Sequence, residues 1–337
     1  MMDTILNLGL NDATVAGLAG VMILDDGKDA ERGLPEDYGV DDLVLVIQDK
    51  FLDNAGKLVY TKSMQSRMGG FIGNTLLVNG QVDPVASVPN SIVRLRMLNA
   101  SNAGFHVLEF SDGREFYIIA TDSDYLTKPV AVKSVRLTPG ERVQVLVDFS
   151  DGAEVALVSS EQNSMNADGF MGAMRSAASI LGGATPIVAF QTDQSLPAKI
   201  GNIPNALDGQ AFTNSAKPVK SREIVLEVAS GMMGEEMGIN GKPFDMERID
   251  EEVKIGTTER WIVSADMLAH PFHMHGVKFR VLSEGGNKPR IENKGWKDTV
   301  LIASPTELEI EFTQSAGPKA PYMFHCHILE HEDAGMM

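Results

Sequence analysis

Residues 322–337, at the end of the chain, read YMFHCHILEHEDAGMM and hold its only cysteine, Cys326, between two histidines. A second stretch, 270–275, reads HPFHMH. Together the two stretches contain six of the seven histidines in 337 residues. Short tracts rich in histidine and cysteine are typical of metal sites. Chance placement of such rare residue types would not produce these clusters, so the pattern indicates a metal centre.

Both histidine stretches lie beside segments with strand composition. Residues 277–282 and 322–327 are rich in β-branched and aromatic side chains, which favours strands. Side chains on a strand alternate between faces, so His325 and His327 share one face and Cys326 points to the other. One strand can therefore present a thiolate to one metal while its flanking imidazoles hold a different cluster.

The residues around the cysteine supply a known set of ligands. Two histidines, a cysteine and a weak axial methionine form a blue-copper electron-transfer site. His270 precedes Pro271, where a strand is only starting, so it can turn toward the Cys326 copper. His331 and Met336 would close this site from the loop that follows the strand.

The other histidines of the two stretches call for a second metal centre. His273 and His275 share a face by the same alternation, and they are available with His325 and His327. Electrons that arrive at the thiolate-bound copper then have a short covalent path, from Cys326 to its neighbouring histidine, into that second centre.

Other interpretations account for fewer residues. A zinc site built from the three histidines of residues 270–275 leaves Cys326, His331 and Met336 unexplained. A nucleophilic cysteine beside a histidine explains fewer of the neighbours still. The seventh histidine, His106, stands alone, and we expect it to be structural.

Composition is that of a large β-protein. At about 150 residues per domain, 337 residues suggest two domains, each able to bury a core. The formal charge of −17 argues against nucleic-acid binding. The sequence has no run of about eighteen apolar residues, so it predicts no membrane-spanning helix. One cysteine excludes an internal disulfide framework. The N-terminus, MMDTILNLGLND, does not read as a signal peptide.

An internal repeat supports two similar domains. Residues 76–108 and 238–275 show the same order: an Asn-Gly turn, a strand with arginine, and a strand that opens on Phe-His. Such a repeat predicts two copies of one β-sandwich. Leu108 stands where the second copy has His275, and the first copy lacks a His-Cys-His segment. We therefore expect the first copy to bind no copper and His106 to occupy a vestigial position.

Turn and composition signals place the domain boundaries. The first complete domain spans residues 41–190, and the copper-binding domain spans residues 222–337. A polar, proline-bearing connector, residues 191–221, joins them. Residues 159–183 are rich in small residues and methionine, which predicts an exposed loop.

Residue for residue, the segments 270–275 and 325–336 resemble the C-terminal copper motifs of the multicopper oxidases, the family of laccases and bacterial copper-efflux oxidases. The resemblance implies an all-β fold of tandem cupredoxin-like Greek-key β-sandwiches, equivalent to the second and third of three family domains. Residues 1–40 then look like the remnant of a first domain and its linker. The family's first domain supplies two further His-X-His pairs, and relatives continue beyond the position of Met337, so the chain looks truncated.

The resemblance also implies a role for each site residue. The type 1 copper ligands would be His270, Cys326, His331 and Met336. The ligand of the type 2 copper would be His273, and the ligands of the type 3 pair would be His275, His325 and His327.

Two acids are matched in the same way. Glu332 matches an acid that relays protons to oxygen at the cluster, with a solvated loop carboxylate as the alternative. Asp266 matches a substrate-side acid near the type 1 copper of copper-efflux oxidases. Those relatives carry a methionine-rich insertion, and the methionines near its place here are Met232, Met233, Met237 and Met246. A laccase-like enzyme is therefore the better match than a dedicated cuprous oxidase.

The implied function is one-electron oxidation of phenols, aromatic amines or Cu(I) at type 1 copper, with O2 reduced to water at a trinuclear cluster. The alternative is a truncated copper-binding or electron-transfer protein that keeps the type 1 site without oxidase activity. The implied partners are a small-molecule reductant or Cu(I), O2 and a first-domain polypeptide that completes the cluster, with no nucleic acid or membrane. The resemblance implies a periplasmic or extracellular location.

Overall fold

The computed structural model describes residues 2–4, 14–61, 63–163, 184–212, 217–228, 237–317 and 320–337. Near the N-terminus, strand β1 (Met2–Thr4) pairs antiparallel with β2 (Val21–Ile23). These two strands form a separate two-stranded sheet.

The first β-sandwich is built from two sheets. The larger has the strand order β4 (Thr75–Val78), β3 (Asp42–Lys50), β6 (Ile92–Asn99), β11 (Arg142–Asp148), β8 (Phe116–Ala120), β9 (Tyr125–Val132). The smaller has the order β10 (Ser134–Leu137), β7 (Phe105–Phe110), β12 (Val155–Asn163), β13 (Thr185–Thr192), β5 (Val85–Val88). Inward side chains from both sheets, such as Val145 and Leu157, form one buried core.

The second β-sandwich repeats this plan with fewer strands. One sheet has the order β15 (Met237–Ile239), β14 (Lys220–Val228), β16 (Thr257–Ala265), β20 (Thr306–Phe312), β18 (Lys278–Glu284). The other has the order β19 (Thr299–Ile302), β17 (His270–Met274), β21 (Phe324–Cys326). Further regular elements among the described residues include a 3-10 turn, Ile291–Asn293, and two short helices, α1 (Met64–Gly69) and α2 (Leu329–Asp333). Cys326 and Met336 are part of the core of this sandwich.

The repeat seen in the sequence is also a repeat of hydrogen bonds. Strand β3 pairs antiparallel with β4 and parallel with β6, and β14 pairs in the same way with β15 and β16. Strands β4 and β15 each end in an Asn-Gly hairpin, in which both residues have positive φ: φ is 51° at Asn79 and 52° at Asn240. Each asparagine side chain accepts a hydrogen bond from the adjacent strand, at Val46 N and Val225 N. The two sandwiches are therefore copies of one hydrogen-bonding pattern.

Three predictions about local structure need correction or fall outside the described residues. The loop predicted at 159–183 is wrong for residues 159–163, which lie in β12 and of which Ser159 is buried, and residues 164–183 are not described. His331 lies in the short helix α2 and not in a loop, because the chain turns helical directly after β21. Met232 and Met233 lie outside the described residues, while Met237 is buried in β15. Met246 is exposed. The predicted domain boundaries stay predictions.

Candidate metal centre

Three ligand atoms meet in the core of the second sandwich. His270 Nδ1 lies 3.1 Å from His331 Nδ1, and Cys326 Sγ lies 3.5 Å from the first and 3.7 Å from the second. All three side chains are fully buried. Imidazole and thiolate ligands bind a metal at about 2.0–2.3 Å, which places ligand atoms about 3–4 Å apart. The triangle therefore has the size and the His2Cys composition of a blue-copper site.

Strand register and the turn after β21 assemble this triangle. Cys326 pairs with Phe272 across β17 and β21, which brings it beside His270 at the start of β17. The chain then folds back, since Met336 accepts a hydrogen bond from Cys326 N and donates one to the His331 carbonyl. Met336 is fully buried in the same core cluster as the thiol.

The protonation states suit a soft metal ion. Burial lowers the pKa of His270 to about 3 and that of His331 to about 4, so both rings are neutral near pH 7. Burial raises the pKa of the Cys326 thiol, so without a metal it keeps its proton. The N–H of Ile328 points at Sγ from 3.4 Å, and it would stabilise a thiolate once the metal displaces that proton.

Helix α1 orients one ring of the triangle from the first half of the chain. His331 Nε2 lies 3.3 Å from the backbone oxygen of Met68. A carbonyl oxygen only accepts, so Nε2 carries the proton and Nδ1 keeps its lone pair for a metal.

The opposite face of the same strands carries a second cluster. His275 Nε2 lies 3.0 Å from His325 Nε2, and His273 completes a group of three rings whose ligand atoms lie within 4.8 Å of one another. The ring of His327 is 5.7 Å, centre to centre, from the rings of His273 and His325. The alternation of side chains around Cys326 thus places its thiol on one side and four neighbouring imidazoles on the other.

A glycine allows His327 to take its place. Gly140, in the first sandwich, has a φ of 83°, and a Cβ there would lie 2.6 Å from the His327 ring. Any side chain at this position would clash with that ring. Three of the rings, His273, His275 and His327, face a cavity of about 820 Å³ that is lined by both sandwiches and by Met22 of β2.

The chain as a whole is similar to known proteins of one family. Two models of the multicopper oxidase family match this chain, over residues 41–171 and 218–337. A laccase-like multicopper oxidase, CueO, from the lignin-degrading bacterium Ochrobactrum sp. is 40% identical, and its structure matches with a TM-score of 0.83 over 94% of this chain and 70% of that chain. The chain belongs to the multicopper oxidase family. The predicted resemblance and the predicted tandem cupredoxin-like fold are confirmed.

Other multicopper oxidases agree, and the curated relatives add a different name. The multicopper oxidase McoA of Aquifex aeolicus is 29% identical with a TM-score of 0.75, over 94% of this chain and 70% of that chain. The cell division protein FtsP of Yersinia pestis is 39% identical over 320 residues, which is 95% of this chain and 64% of that protein. FtsP of Escherichia coli strain K12 is 37% identical over 319 residues, 95% of this chain and 65% of that protein. The chain therefore spans slightly less than two thirds of the length of these curated relatives.

Membership of this family indicates copper as the metal. The donor set agrees, because a thiolate with two imidazoles is a soft site and the second cluster is all nitrogen. One buried ring atom in each cluster, His270 Nε2 and His327 Nδ1, has no hydrogen-bond partner among the described residues.

The two acids matched by the multicopper oxidase resemblance lie in different surroundings. Glu332 is buried on α2, with Oε2 3.5 Å from His325 Nδ1, and burial raises its pKa to about 8. Asp266 is exposed and its carboxylate lies 3.3 Å from Val228 N, with no described contact to His270. The roles of both acids in a multicopper oxidase stay predictions.

Sequence reasoning missed the residues that hold helix α2, which carries His331, in place. Glu330 is buried beside His331 and accepts hydrogen bonds from Tyr60, Asn102 and Phe71 N, all in the first half of the chain. Nothing local in the sequence indicates these partners, which lie more than 200 positions away. A charged pair, Lys297-Asp298, next to the apolar strand β19 was a usable signal for a buried ionic site.

His106 is buried, as expected for a structural residue. Its Nε2 lies 3.3 Å from Ser101 Oγ, and it pairs with Leu137 on β10. Burial lowers its pKa to about 4. Within the described part of the first sandwich, no cluster of ligands surrounds it. No described helix is long and apolar enough to cross a membrane.

Proposed function

We propose that this chain is the copper-binding part of a laccase-like oxidase. The observation that carries the proposal is a buried His270–Cys326–His331 triangle whose cysteine lies between His325 and His327, two histidines of a second cluster. Bound copper would supply one-electron oxidation of phenols, aromatic amines or Cu(I) at the first site and reduction of O2 to water at the second.

The protein would position the metal-binding side chains, fix their protonation states and link the two clusters covalently. Cys326 would give up its proton and hold the first metal together with His270, His331 and the thioether of Met336, and both imidazoles are already neutral. The peptide bonds from Cys326 to His325 and His327 form the covalent route between the two clusters.

Glu332 is proposed to hold a proton beside the second cluster. Its raised pKa, about 8, keeps the carboxyl protonated near neutral pH, and its oxygen lies 3.5 Å from His325. A buried acid that still carries its proton at pH 7 suits a reaction that consumes protons.

Partners and location are part of the same proposal. A small-molecule reductant or Cu(I) would donate electrons, and O2 would accept them. A first-domain polypeptide would place the side chains of two His-X-His pairs in the cavity of about 820 Å³ that His273, His275 and His327 line. A periplasmic or extracellular location is proposed from the family. The formal charge of −17 argues against a nucleic-acid partner, and no membrane partner is proposed.

A second candidate is a copper-binding or electron-transfer protein without oxidase activity. Two observations favour it: the sequence offers only four histidines for the second cluster, and curated relatives of 37–39% identity are named as cell division proteins. In this case the type 1 site would serve electron transfer alone.

Copper loading of the purified chain tests the shared part of both candidates. One copper bound to Cys326 should give an intense visible thiolate-to-copper band, and Cys326→Ser should abolish it. The matched control is Ser304→Ala, a hydroxyl change on the loop after β19, which should leave the band unchanged. A wild-type chain that binds copper without colour, and without sulfur in its coordination shell, would refute the proposal.

A further inference from the structure

A chain of hydrogen bonds runs from the first sandwich to His273 in the second. The guanidinium of Arg142 binds both carboxylate oxygens of Asp298, each at 2.6 Å. The hydroxyl of Thr299 donates to Asp298 Oδ1 at 2.8 Å. His273 Nδ1 lies 2.9 Å from that hydroxyl oxygen and 3.0 Å from the backbone oxygen of Asp298.

The direction of each bond follows from the donors available. A hydroxyl has one proton, and that of Thr299 is used on the carboxylate. Its oxygen can then only accept, as can the carbonyl oxygen of Asp298. The ring of His273 must therefore carry its proton on Nδ1, which leaves the Nε2 lone pair facing the histidine cluster.

Arg142 is fixed on the side of the first sandwich. Its side chain is buried, it donates to the backbone oxygens of Gly140 and Asp122, and its own N–H donates to the Asp122 carboxylate. Because a bidentate guanidinium accepts no rotation of the carboxylate without losing a bond, Asp298 is held in one orientation.

We propose that Asp298, held by Arg142, is a positioning residue that fixes the tautomer of His273 through Thr299. The inference rests on the proposed function only in that His273 is taken as a metal ligand. As a consequence, Arg142 of the first sandwich helps to orient His273 of the second. The Nε2 lone pair of His273 is then free to bind a metal.

The test measures the tautomer of His273 in the metal-free 337-residue chain. With histidine labelled by 15N, two-dimensional NMR distinguishes rings protonated on Nδ1 from rings protonated on Nε2, and His273→Gln identifies the signals of this ring. The wild type should show a single Nδ1–H tautomer at His273.

Asp298→Asn should change that signal. An amide can donate to Thr299, whose hydroxyl is then free to donate to His273 Nδ1, so an Nε2–H tautomer should appear beside the original one. Adding Thr299→Val to Asp298→Asn removes the inverted hydroxyl and should restore the single Nδ1–H tautomer. A purely structural role for Asp298 would not produce loss and rescue in this order.

The matched control is Glu259→Gln. It breaks a buried, bidentate Arg222–Glu259 pair in the same sandwich, away from the histidines, and should leave the His273 signals unchanged. A single Nδ1–H tautomer retained in Asp298→Asn, or two tautomers in the wild type, would overturn the inference. If the wild type stays colourless with copper while the Asp298 and Thr299 variants show the predicted tautomer changes, the blue-copper proposal fails and the Asp298–Thr299–His273 inference stands.

Discussion

The thiol of Cys326 shows how burial and metal binding act on one residue. In the core of the second sandwich a thiolate would lack water, so the thiol keeps its proton until a metal takes its place. The two imidazoles beside it are neutral for the same physical reason, because burial disfavours their charged form. The site is therefore uncharged when empty, and copper is what makes a thiolate favourable there.

This protonation pattern predicts the pH dependence of copper binding. Between about pH 5 and pH 8, His270 and His331 have no proton to lose, while Cys326 must release one for each Cu(II) bound. The apparent affinity should rise about tenfold per pH unit. Calorimetry in buffers of different ionisation enthalpy measures the protons released. A release of about two or more would mean that the imidazoles are charged in the metal-free chain.

The proposed axial ligand gives a second prediction at this scale. Met336→Leu should keep the blue colour and raise the reduction potential, since loss of a weak thioether donor destabilises Cu(II) more than Cu(I). A tenfold loss of relative Cu(II) affinity corresponds to about 59 mV. Redox titration provides the measurement, with Met246→Leu as the exposed control. An unchanged or lowered potential would show that Met336 is not the axial ligand.

At the scale of single elements, the two Asn-Gly hairpins invite a paired experiment. Asn79 and Asn240 each have positive φ, and each side chain bridges two backbone groups of the adjacent strand. Changing either residue to Ala should lower the free energy of unfolding by about 1–3 kcal/mol, because the side-chain hydrogen bonds are lost and alanine tolerates positive φ less well than asparagine.

Glycine separates those two causes in the hairpins. Asn79→Gly and Asn240→Gly keep the backbone conformation, so they should cost less than the alanine variants, about 1 kcal/mol. Denaturant unfolding measures both, with Asn54→Ala at an exposed turn as control. Equal losses for Gly and Ala would argue that backbone strain contributes nothing at these turns.

The elements also show how far sequence reasoning reaches. Alternation along a strand is local, so residues 325–327 were enough to predict that Cys326 and its flanking histidines face different sites. Helix α2 has five residues, too few for a helical period to be visible, and it was predicted as a loop. The Met68 oxygen that orients His331 is a backbone atom, and no side-chain pattern could have indicated it.

At the scale of the whole molecule, buried charges join the two sandwiches beside the histidines. Lys297 Nζ lies 3.0 Å from Asp122 and 3.0 Å from Glu141, and all three are buried. With the Arg142–Asp298 pair, they place five charges at the contact between domains. Removing one member would leave an unpaired buried charge, so the cluster favours a single arrangement of the two sandwiches. That arrangement determines the shape of the cavity that His273, His275 and His327 line.

The last prediction concerns copper stoichiometry and oxygen. The 337 residues offer His273, His275, His325 and His327 to a trinuclear cluster that uses eight imidazoles by the family pattern. Metal sites bind tightly only when ligand number and geometry are complete. The purified 337-residue chain should therefore hold one copper tightly, at the Cys326 site, and take up O2 very slowly with a phenolic donor. Self-association does not help, because every copy lacks the same first-domain His-X-His pairs: residues 1–105 contain no histidine.

Supplying the missing ligands should reverse this result. A first-domain polypeptide with two His-X-His pairs, mixed or co-expressed with the chain, should raise both the copper content and the rate of O2 uptake. The control is the same polypeptide with its histidines changed to alanine, which can still fill the cavity but supplies no ligands. Fast turnover with four coppers on the lone chain would mean that side chains other than histidine complete the cluster. Added copper without O2 uptake would favour the electron-transfer function.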